Sequence, residues 1–399
     1  MRLHFKAVSK DGKVSRGIVE AKDIGDAASY LRSKDMIPIQ ITKEQKKAFD
    51  LPFLNRISSN DLILFTRQLS SMLASGLTVM KALQILKNQT QNEAMLEVLN
   101  GIITDVEEGK NLASAIAKYP KVFSPIYISI IKAGESAGLL DKVLLRLADN
   151  LEKQQKLKGT IKGALMYPAI VIILMVGVVG IMMIFVIPQL TSLYGNMGVA
   201  LPITTRVVIG LSNFTSSFWP IILIVAFVTG TFYKRWSKTP DGRFILDNIS
   251  LKLPIFGKLI RESILAEFSR TLGLLIGTGS LVVDSLLETA DTTGNVHYKN
   301  AIIDVSHKVE KGVSIGDAMS FHSLFPPLLV QLVKIGEETG KIDESMEKAS
   351  EFFEREVDET VKTLTTAMEP FIMIVLGVGV AFLILAVITP IYSLISNIQ

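Results

Sequence analysis

The sequence contains no cysteine among its 399 residues. A chain without thiols forms no disulfide, has no cysteine ligand for zinc or an iron–sulfur cluster, and has no thiol nucleophile. Histidine is scarce, and the four histidines lack the spacing of a metal motif, so we expect ordinary surface residues at His4, His297, His307 and His322. The opening MRLHFKAVSKDGK lacks an apolar core of signal-peptide length, which predicts an N-terminus that is neither cleaved nor exported.

Charge is missing from two long stretches, although charged residues make up 20% of the chain. Only Arg206 is charged between residues 163 and 233, and no charge lies between 370 and 399. The other charges fall in 1–162, with 25 basic and 17 acidic residues (+8), and in 234–369, with 16 and 21 (−5). This distribution excludes a wholly soluble globule and a permease with many spans.

Three uncharged segments are long enough to cross a bilayer as helices, and we predict transmembrane helices at 164–188, 207–233 and 370–395. Basic residues precede the first segment and follow the second: Lys153, Lys156, Lys158, Lys162, Lys234, Arg235, Lys238 and Arg243. Because positive charge resists translocation, the N-terminus and both charged blocks are expected in the cytoplasm, with the C-terminus outside. The first and third spans would then run parallel.

The predicted spans contain no Asp, Glu, Lys, Arg or His. Ion-coupled transport generally requires such residues in the membrane, so their absence argues against the competing hypothesis of a permease. Small residues occupy the spans instead, and we interpret them as sites of close helix packing: Gly177, Gly180, Gly377 and Gly379.

The sequence repeats itself at an offset of about 200 residues. The segment FTRQLSSMLASGLTVMKAL (Phe65–Leu83) reappears as FSRTLGLLIGTGSLVVDSL (Phe268–Leu286), and KAGESAGLLD (Lys132–Asp141) as KIGEETGKID (Lys334–Asp343). Proline pairs mark both ends of a span: Pro168 with Pro370, and Pro188 with Pro390. The pattern indicates a duplicated unit of a charged domain followed by a span.

Apolar residues in each copy recur at helical steps of three and four. Ser58 with Asp61 predicts a capped helix start, Gly76 its end, Thr78 the cap of the next helix and Asn92 the start of a third. The predicted fold is therefore mainly α: two homologous cytoplasmic antiparallel bundles of five or six helices, plus three transmembrane helices.

The first 43 residues differ, because apolar and polar residues alternate in LHFKAVS and RGIVEA and a helical segment follows. We predict a small N-terminal α+β module of β-β-α-β order whose use is docking to a partner. The predicted domains are the module 1–43, a linker 44–57, bundle 1 at 58–163, the span 164–188, an outside loop 189–206, the span 207–233, a cytoplasmic connector 234–261, bundle 2 at 262–366 and the span 370–395.

The segment GESAG at 134–138 fits the G-x-S-x-G pattern of hydrolases. The second copy has Glu338 where Ser136 stands, and the context is helical, which argues against a membrane-bound hydrolase. Nor does GEETGK match a phosphate loop, because it has too few residues between the glycines and Ile342 after the lysine. No catalytic, cofactor or metal site is predicted.

The shared Gly-Glu-x-x-Gly suits a turn between helices. Its glycines would adopt positive φ, and its carboxylate would accept N–H bonds at the start of the next helix. Contact of Glu135 or Glu337 with a partner is the alternative. The structural or partner-contact candidates are Gly134, Glu135, Gly138, Gly336, Glu337, Gly340, Pro168 and Pro370.

An acidic run lies on one predicted helix of the second copy: Asp343, Glu344, Glu347, Glu351, Glu354, Glu356, Asp358 and Glu359. A solvated helix face is the simplest interpretation. The alternative is a docking face for a basic partner or for the +8 first block.

FTRQLSSMLASGL, KAGESAGLLD, a span entered through MYP and a second copy ending in MEP together resemble the type II secretion system F domain family, over about Ser58–Ile395. The N-terminal module is similar to that of these proteins. The second copy departs from the first at Glu338, Thr339 and Lys341, so the two turns need not contact equivalent partners.

The resemblance implies a non-enzymatic platform in the cytoplasmic (inner) membrane. Family members couple a cytoplasmic motor ATPase to pilin or pseudopilin subunits, alongside other inner-membrane assembly components, and a homo-oligomer is expected. A type IV pilus machine is the main interpretation and the F component of type II secretion is the alternative, with lipid as a further partner and no nucleic acid or cofactor.

Overall fold

The computed structural model describes residues 2–9, 14–21, 23–34, 36–43, 56–189 and 203–398. The predicted linker lies outside the described residues except for 56 and 57, and the predicted outside loop except for 189 and 203–206. The chain divides into two compact units, residues 1–56 and 57–399.

The N-terminal unit contains a three-stranded antiparallel sheet in the order β2-β1-β3 and one helix. Its elements are β1 (Arg2–Ser9), β2 (Val14–Glu20), α1 (Ile24–Ser33) and β3 (Met36–Lys43). The Asp23 side chain caps α1 by accepting the N–H of Asp26, and Ala27 and Leu31 on α1 are buried.

The first repeat in the second unit forms six helices. They are α2 (Ser59–Ala74), α3 (Val79–Gln89), α4 (Glu93–Glu107), α5 (Leu112–Ile116), α6 (Pro125–Ser136) and α7 (Leu140–Ile181). The predicted caps are confirmed: Ser58 and Asp61 form a capping box, Thr78 accepts the Lys81 N–H, and Asn92 caps α4. Gly76 follows α2 with a φ of 84°, a conformation that favours glycine.

A π-helical segment, Met182–Val186, prolongs α7 toward Pro188. The chain then returns through α8 (Ile203–Trp236) and α9 (Pro240–Lys252) to the second repeat. The six helices of that repeat are α10 (Phe256–Gly277), α11 (Val282–Thr292), α12 (Val296–Glu310), α13 (Ile315–Ser320), α14 (Pro327–Thr339) and α15 (Ile342–Ile398). Most of the predicted connector 234–261 is thus helical, and α10 begins before residue 262.

Equivalent aromatic residues lie at the centre of both repeats. In the first, Phe123 packs edge-on against Phe65 at 6.0 Å between ring centroids, and also contacts Tyr127. In the second, Phe325 lies 5.9 Å from Phe268. These rings are buried in two separate apolar cores, one for each repeat.

Two of the described helices are long and apolar enough to cross a membrane, within Leu140–Gln189 and Ile342–Ala381. Only 11% and 17% of their most apolar windows are buried inside the protein, so most of these apolar side chains face outward. A core helix of a soluble protein would be mostly buried, which makes a lipid environment the better physical match.

Candidate functional site

The carboxylate of each Gly-Glu turn binds the start of a short helix. Glu135, on the last turn of α6, accepts the backbone N–H groups of Leu112 (2.7 Å) and Ala113 (3.0 Å) at the start of α5. The second repeat reproduces this contact: Glu337 on α14 accepts the N–H groups of Ile315 (2.5 Å) and Gly316 (2.8 Å) at the start of α13.

This geometry corrects the prediction that the carboxylate binds the next helix. Glu135 and Glu337 instead bind the helix that precedes their own, 23 residues back at Leu112 and 22 residues back at Ile315. The first N–H groups of any helix lack an intrahelical acceptor, and a negative charge there also interacts favourably with the helix dipole. The carboxylates therefore hold α5 against α6 and α13 against α14.

The glycines of the turns have two different roles. Gly138 and Gly340 have a φ of 68°, as predicted, and let the chain leave each helix. The prediction of positive φ was wrong for Gly134 and Gly336, which lie within α6 and α14 and are buried. A Cβ at Gly134 would lie 2.8 Å from the Cβ of Val143, so the missing side chain allows α6 to approach α7.

Gly336 makes the equivalent approach in the second repeat, because a Cβ there would lie 2.9 Å from both the Cα of Ile342 and the Oγ of Ser345. An additional ion pair joins α13 to α14 in this repeat. Lys334 donates to Asp317 at 2.6 Å, and this hydrogen bond is the main cause of a lowered pKa at Asp317. Ser114 stands at the position that matches Asp317 in the first repeat.

Part of the acidic run contacts basic residues of the first repeat. Asp343 lies 3.6 Å from Arg146, and Glu351 lies 4.0 Å from Lys153, both on α7. The alternative interpretation, docking onto the +8 block, is therefore confirmed for these two residues. Glu354 instead pairs within its own repeat, with the buried Arg270 at 2.7 Å.

Apolar contacts join the two repeats beside these ion pairs. Leu274 and Leu275 on α10 are buried in the core of the first repeat, not of their own. Ser129 on α6 also donates to Glu288 on α11 at 2.8 Å. We call this contact between the repeats the seam: it comprises Leu274, Leu275 and Ser129, together with the ion pairs of Arg146 and Lys153.

Sequence reasoning missed the apolar part of the seam, although the two copies carry a signal for it. The position of Leu274 is taken in the first copy by Ser71, which is exposed, and that of Leu275 by Met72, which is half-buried. Because the apolar pair is present in one copy and absent from the other, it indicates a helix face that is buried in one copy and exposed in the other.

Helices α7 and α15 run side by side in the same direction, because their contacts advance together along both: Arg146 with Asp343, Lys153 with Glu351, and Met175 with Gly379. A Cβ at Gly379 would collide with Met175, as expected of a small residue at a helix contact. At Gly177, Gly180 and Gly377, an added Cβ would have no neighbour within 4 Å.

The two prolines at the foot of the predicted spans lie inside continuous helices. Pro168 lies within α7 and is buried, whereas Pro370 lies within α15 and is exposed. Each proline lies about 30 residues along the helix that follows its Gly-Glu turn, so the prolines and the turns form separate sites.

The serine and lysine of the two turns have structural surroundings. Ser136 is the exposed last residue of a helix, not the product of a strand-to-helix elbow, and Lys341 pairs with Glu344 at 3.1 Å. Across the described residues, His, Asp and Glu form no group that could hold a metal ion.

The geometry defines a class: an internally duplicated helical protein in which each copy continues into an apolar helix able to span a membrane. Comparison with known families gives the same division. The family described as "Type II secretion system (T2SS), protein F" matches twice, at residues 65–188 and 268–390. The starts differ by 203 residues and the ends by 202, which confirms the predicted duplication.

Curated relatives match almost the whole chain. It is 36% identical to the type IV pilus assembly protein PilC of Thermus thermophilus, over 99% of this chain and 98% of that protein. It is 35% identical to PilC of Pseudomonas aeruginosa (92% and 98%), and 28% identical to type II secretion system protein F of Vibrio cholerae (98% and 98%). The chain belongs to the type II secretion system protein F family.

Proposed function

We propose that this chain is the inner-membrane platform protein of a type IV pilus assembly machine. The proposal rests on the higher sequence identity of the chain to a pilus assembly protein than to a type II secretion protein, over nearly equal aligned lengths. Identity is 36% to a protein named for pilus assembly, against 28% to one named for type II secretion. The carboxylates of the Gly-Glu turns bind backbone N–H groups inside the protein, which also accords with a platform that binds partners and has no reaction centre.

The alternative is the F component of a type II secretion system, in which the chain would support a pseudopilus and protein export. It is favoured by the 28% identity over 98% of the chain to the Vibrio cholerae protein. Both functions use a duplicated membrane scaffold, so the fold does not separate them.

For the topology, we propose three spans, with α8 as the second. This helix is 34 residues long, and its described side chains from Phe227 to Tyr233 are all exposed. Lys234 and Arg235 follow this exposed segment. The positive-inside rule then puts both repeats in the cytoplasm, the loop 189–206 and the C-terminus outside, and the predicted domain boundaries around them.

For the partners, we propose that the helical repeats contact a cytoplasmic motor ATPase and that the spans guide pilin helices leaving the bilayer. The outward-facing apolar side chains of α7 and α15 support the second contact, because helices pack in membranes through such surfaces. The small N-terminal unit would dock to another inner-membrane component, and further copies of the chain would complete the platform.

A clean deletion strain tests the function. We expect loss of surface filaments, seen by electron microscopy, with exoproteins exported at normal levels, and recovery of filaments when the intact gene is supplied on a plasmid. Normal filaments with missing exoproteins would instead establish the secretion alternative. If both filaments and export were normal, neither function would stand.

A further inference from the structure

An exposed apolar surface lies on α9 and the turn that follows it. Along the outer side of α9, Ile245 is 46% exposed and Ile249 52% exposed, and Leu253 continues this side at 46%. Ile255 and Phe256 extend the surface into the start of α10. Five large apolar side chains within twelve residues form a patch that soluble proteins normally bury. We call Ile245, Ile249, Leu253, Ile255 and Phe256 the α9 patch.

The opposite side of α9 is fixed to the second repeat. Asp247 accepts the N–H of Val296 at 2.8 Å, at the start of α12, and the Phe244 ring packs 4.4 Å from that of His297. Arg243 donates to the carbonyl of Gly294. Helix α9 therefore has an inner face that makes tertiary contacts and an outer face that carries the apolar side chains.

The patch begins just beyond the end of a proposed span. Helix α8 ends at Trp236, and α9 starts at Pro240. Basic residues flank this junction and the patch in sequence: Lys234, Arg235, Lys238 and Lys252. Basic side chains next to an apolar helix face are the combination that binds anionic lipid headgroups and the acyl boundary below them.

The turn after α9 keeps an apolar side chain exposed at a conformational cost. Ile255 has a φ of 63° and a ψ of −56°, and the Phe256 N–H donates to the Pro254 carbonyl at 2.7 Å. This is a γ-turn of the rare strained form, and positive φ is unusual for a β-branched residue. Strain held without burial of the Ile255 side chain indicates a surface used for contact with another phase or molecule.

We propose that α9 lies in the cytoplasmic headgroup layer, with the α9 patch inserted into the bilayer and the surrounding Lys and Arg side chains on anionic headgroups. The inference rests on the proposed topology in one respect, that α8 spans the membrane. The segment predicted as a cytoplasmic connector would then lie on the membrane surface and hold the second repeat against the bilayer. The occupant of the patch is lipid, because the neighbouring helix already enters lipid and the charges match anionic headgroups.

The natural absence of cysteine allows a direct test in the full-length chain. Single substitutions Ile249→Cys, Leu281→Cys and Phe227→Cys each take an environment-sensitive fluorophore after reconstitution into nanodiscs of brominated phosphatidylcholine and phosphatidylglycerol. Leu281 is the matched control, since it is 73% exposed, apolar and on the turn before α11. Phe227, also 73% exposed, lies on α8 and reports whether that helix is in the bilayer.

We expect bromolipid quenching of about half the signal at Ile249 and Phe227, and of less than about a tenth at Leu281, because an interfacial helix buries its apolar face about 5–10 Å deep. A label at Ile249 that is quenched no more than the one at Leu281, while Phe227 is quenched, overturns the proposal and leaves the topology intact. Failure at Phe227 as well overturns the topology.

Ile245→Cys repeats the measurement at a second position of the patch, in case Ile249→Cys does not fold. Replacing phosphatidylglycerol with phosphatidylcholine should reduce quenching at Ile249 about twofold without changing it at Phe227, because only the interfacial helix depends on lipid charge. Equal quenching in both lipids overturns the assignment of the basic residues to anionic headgroups.

Discussion

Glu135 and Glu337 make equivalent hydrogen bonds in the two repeats. Each lies on the last turn of a helix, and each accepts two N–H groups of a short helix that begins about 22 residues earlier. A five- or six-residue helix has little stability of its own. The carboxylate supplies acceptors that such a helix lacks, so the Gly-Glu turn stabilises structure on both sides of itself.

Glu337→Gln should lower the free energy of unfolding by about 1–2 kcal/mol, since a charged acceptor of two backbone N–H groups is replaced by a neutral one with a single acceptor oxygen. Chemical denaturation of the purified protein in detergent measures the change. Glu338→Gln is the matched control, as it makes the same chemical change one residue along at an exposed site. Equal stability of the two variants would contradict the role of Glu337.

Residue-scale features were predictable wherever their cause is local. The side chains of Ser58, Thr78 and Asn92 cap helices through groups two or three residues away, so a short pattern identifies them. The acceptor role of Glu135 was predicted, but its partner at Leu112 was not. That contact depends on how α5 folds back onto α6, which no local pattern encodes.

At the scale of elements, the approach of α6 to α7 depends on a missing side chain. Gly134 and Gly336 are buried in their helices and face the start of the long helix that follows. Helix interiors disfavour glycine relative to alanine by about 1 kcal/mol, so close packing must offset that cost. Spacing alone predicted a turn at this point and not the packing contact.

Gly134→Ala should destabilise the protein by about 1–3 kcal/mol, because the new methyl group would overlap Val143 and force the two helices apart. Gly159→Ala supplies the comparison: Gly159 lies in α7 with no neighbour within 4 Å, and alanine there should be neutral or stabilising by about 0.5–1 kcal/mol. Thermal unfolding of both variants measures the difference, and a neutral Gly134→Ala would show that the helices can separate freely.

At the scale of the whole molecule, the seam makes one unit of the two repeats. Its apolar part comes from Leu274 and Leu275, and its polar part from exposed ion pairs such as Arg146 with Asp343. Only one copy uses this face of its first helix, so the repeats meet head to tail and not through equivalent surfaces. A pattern search that treats the copies as equal cannot find such an interface.

Leu275→Ala should lower the free energy of unfolding by about 2–4 kcal/mol, because removal of the buried side chain leaves a cavity at the seam. In contrast, a double-mutant cycle of Arg146→Ala and Asp343→Ala should give a coupling below about 1 kcal/mol, as both side chains are partly exposed. Unfolding free energies of the four proteins and of Leu281→Ala, an exposed control, supply the comparison. A coupling larger than the cost of Leu275→Ala would mean that charge, not apolar burial, joins the repeats.

The duplication and the mainly helical fold were predictable, because each copy carries its own periodicity, caps and apolar segment. The sequence also indicated where charge is absent. It did not show that Asp343 and Glu351 bind α7, because a run of acidic residues on a helix has the same pattern whether it faces water or a basic neighbour.

Helix α15 is continuous from Ile342 to Ile398, although Pro370 lies within it. At 1.5 Å per residue, its 57 residues form a rod about 86 Å long. Tilting such a rod by about 5° about its first turn displaces the far end by about 7 Å, more than the 5.4 Å pitch of a helix. The first turn of α15 also lies beside Arg146 on α7, so a small rotation of the helix at this contact between the repeats would produce a much larger displacement at its membrane end.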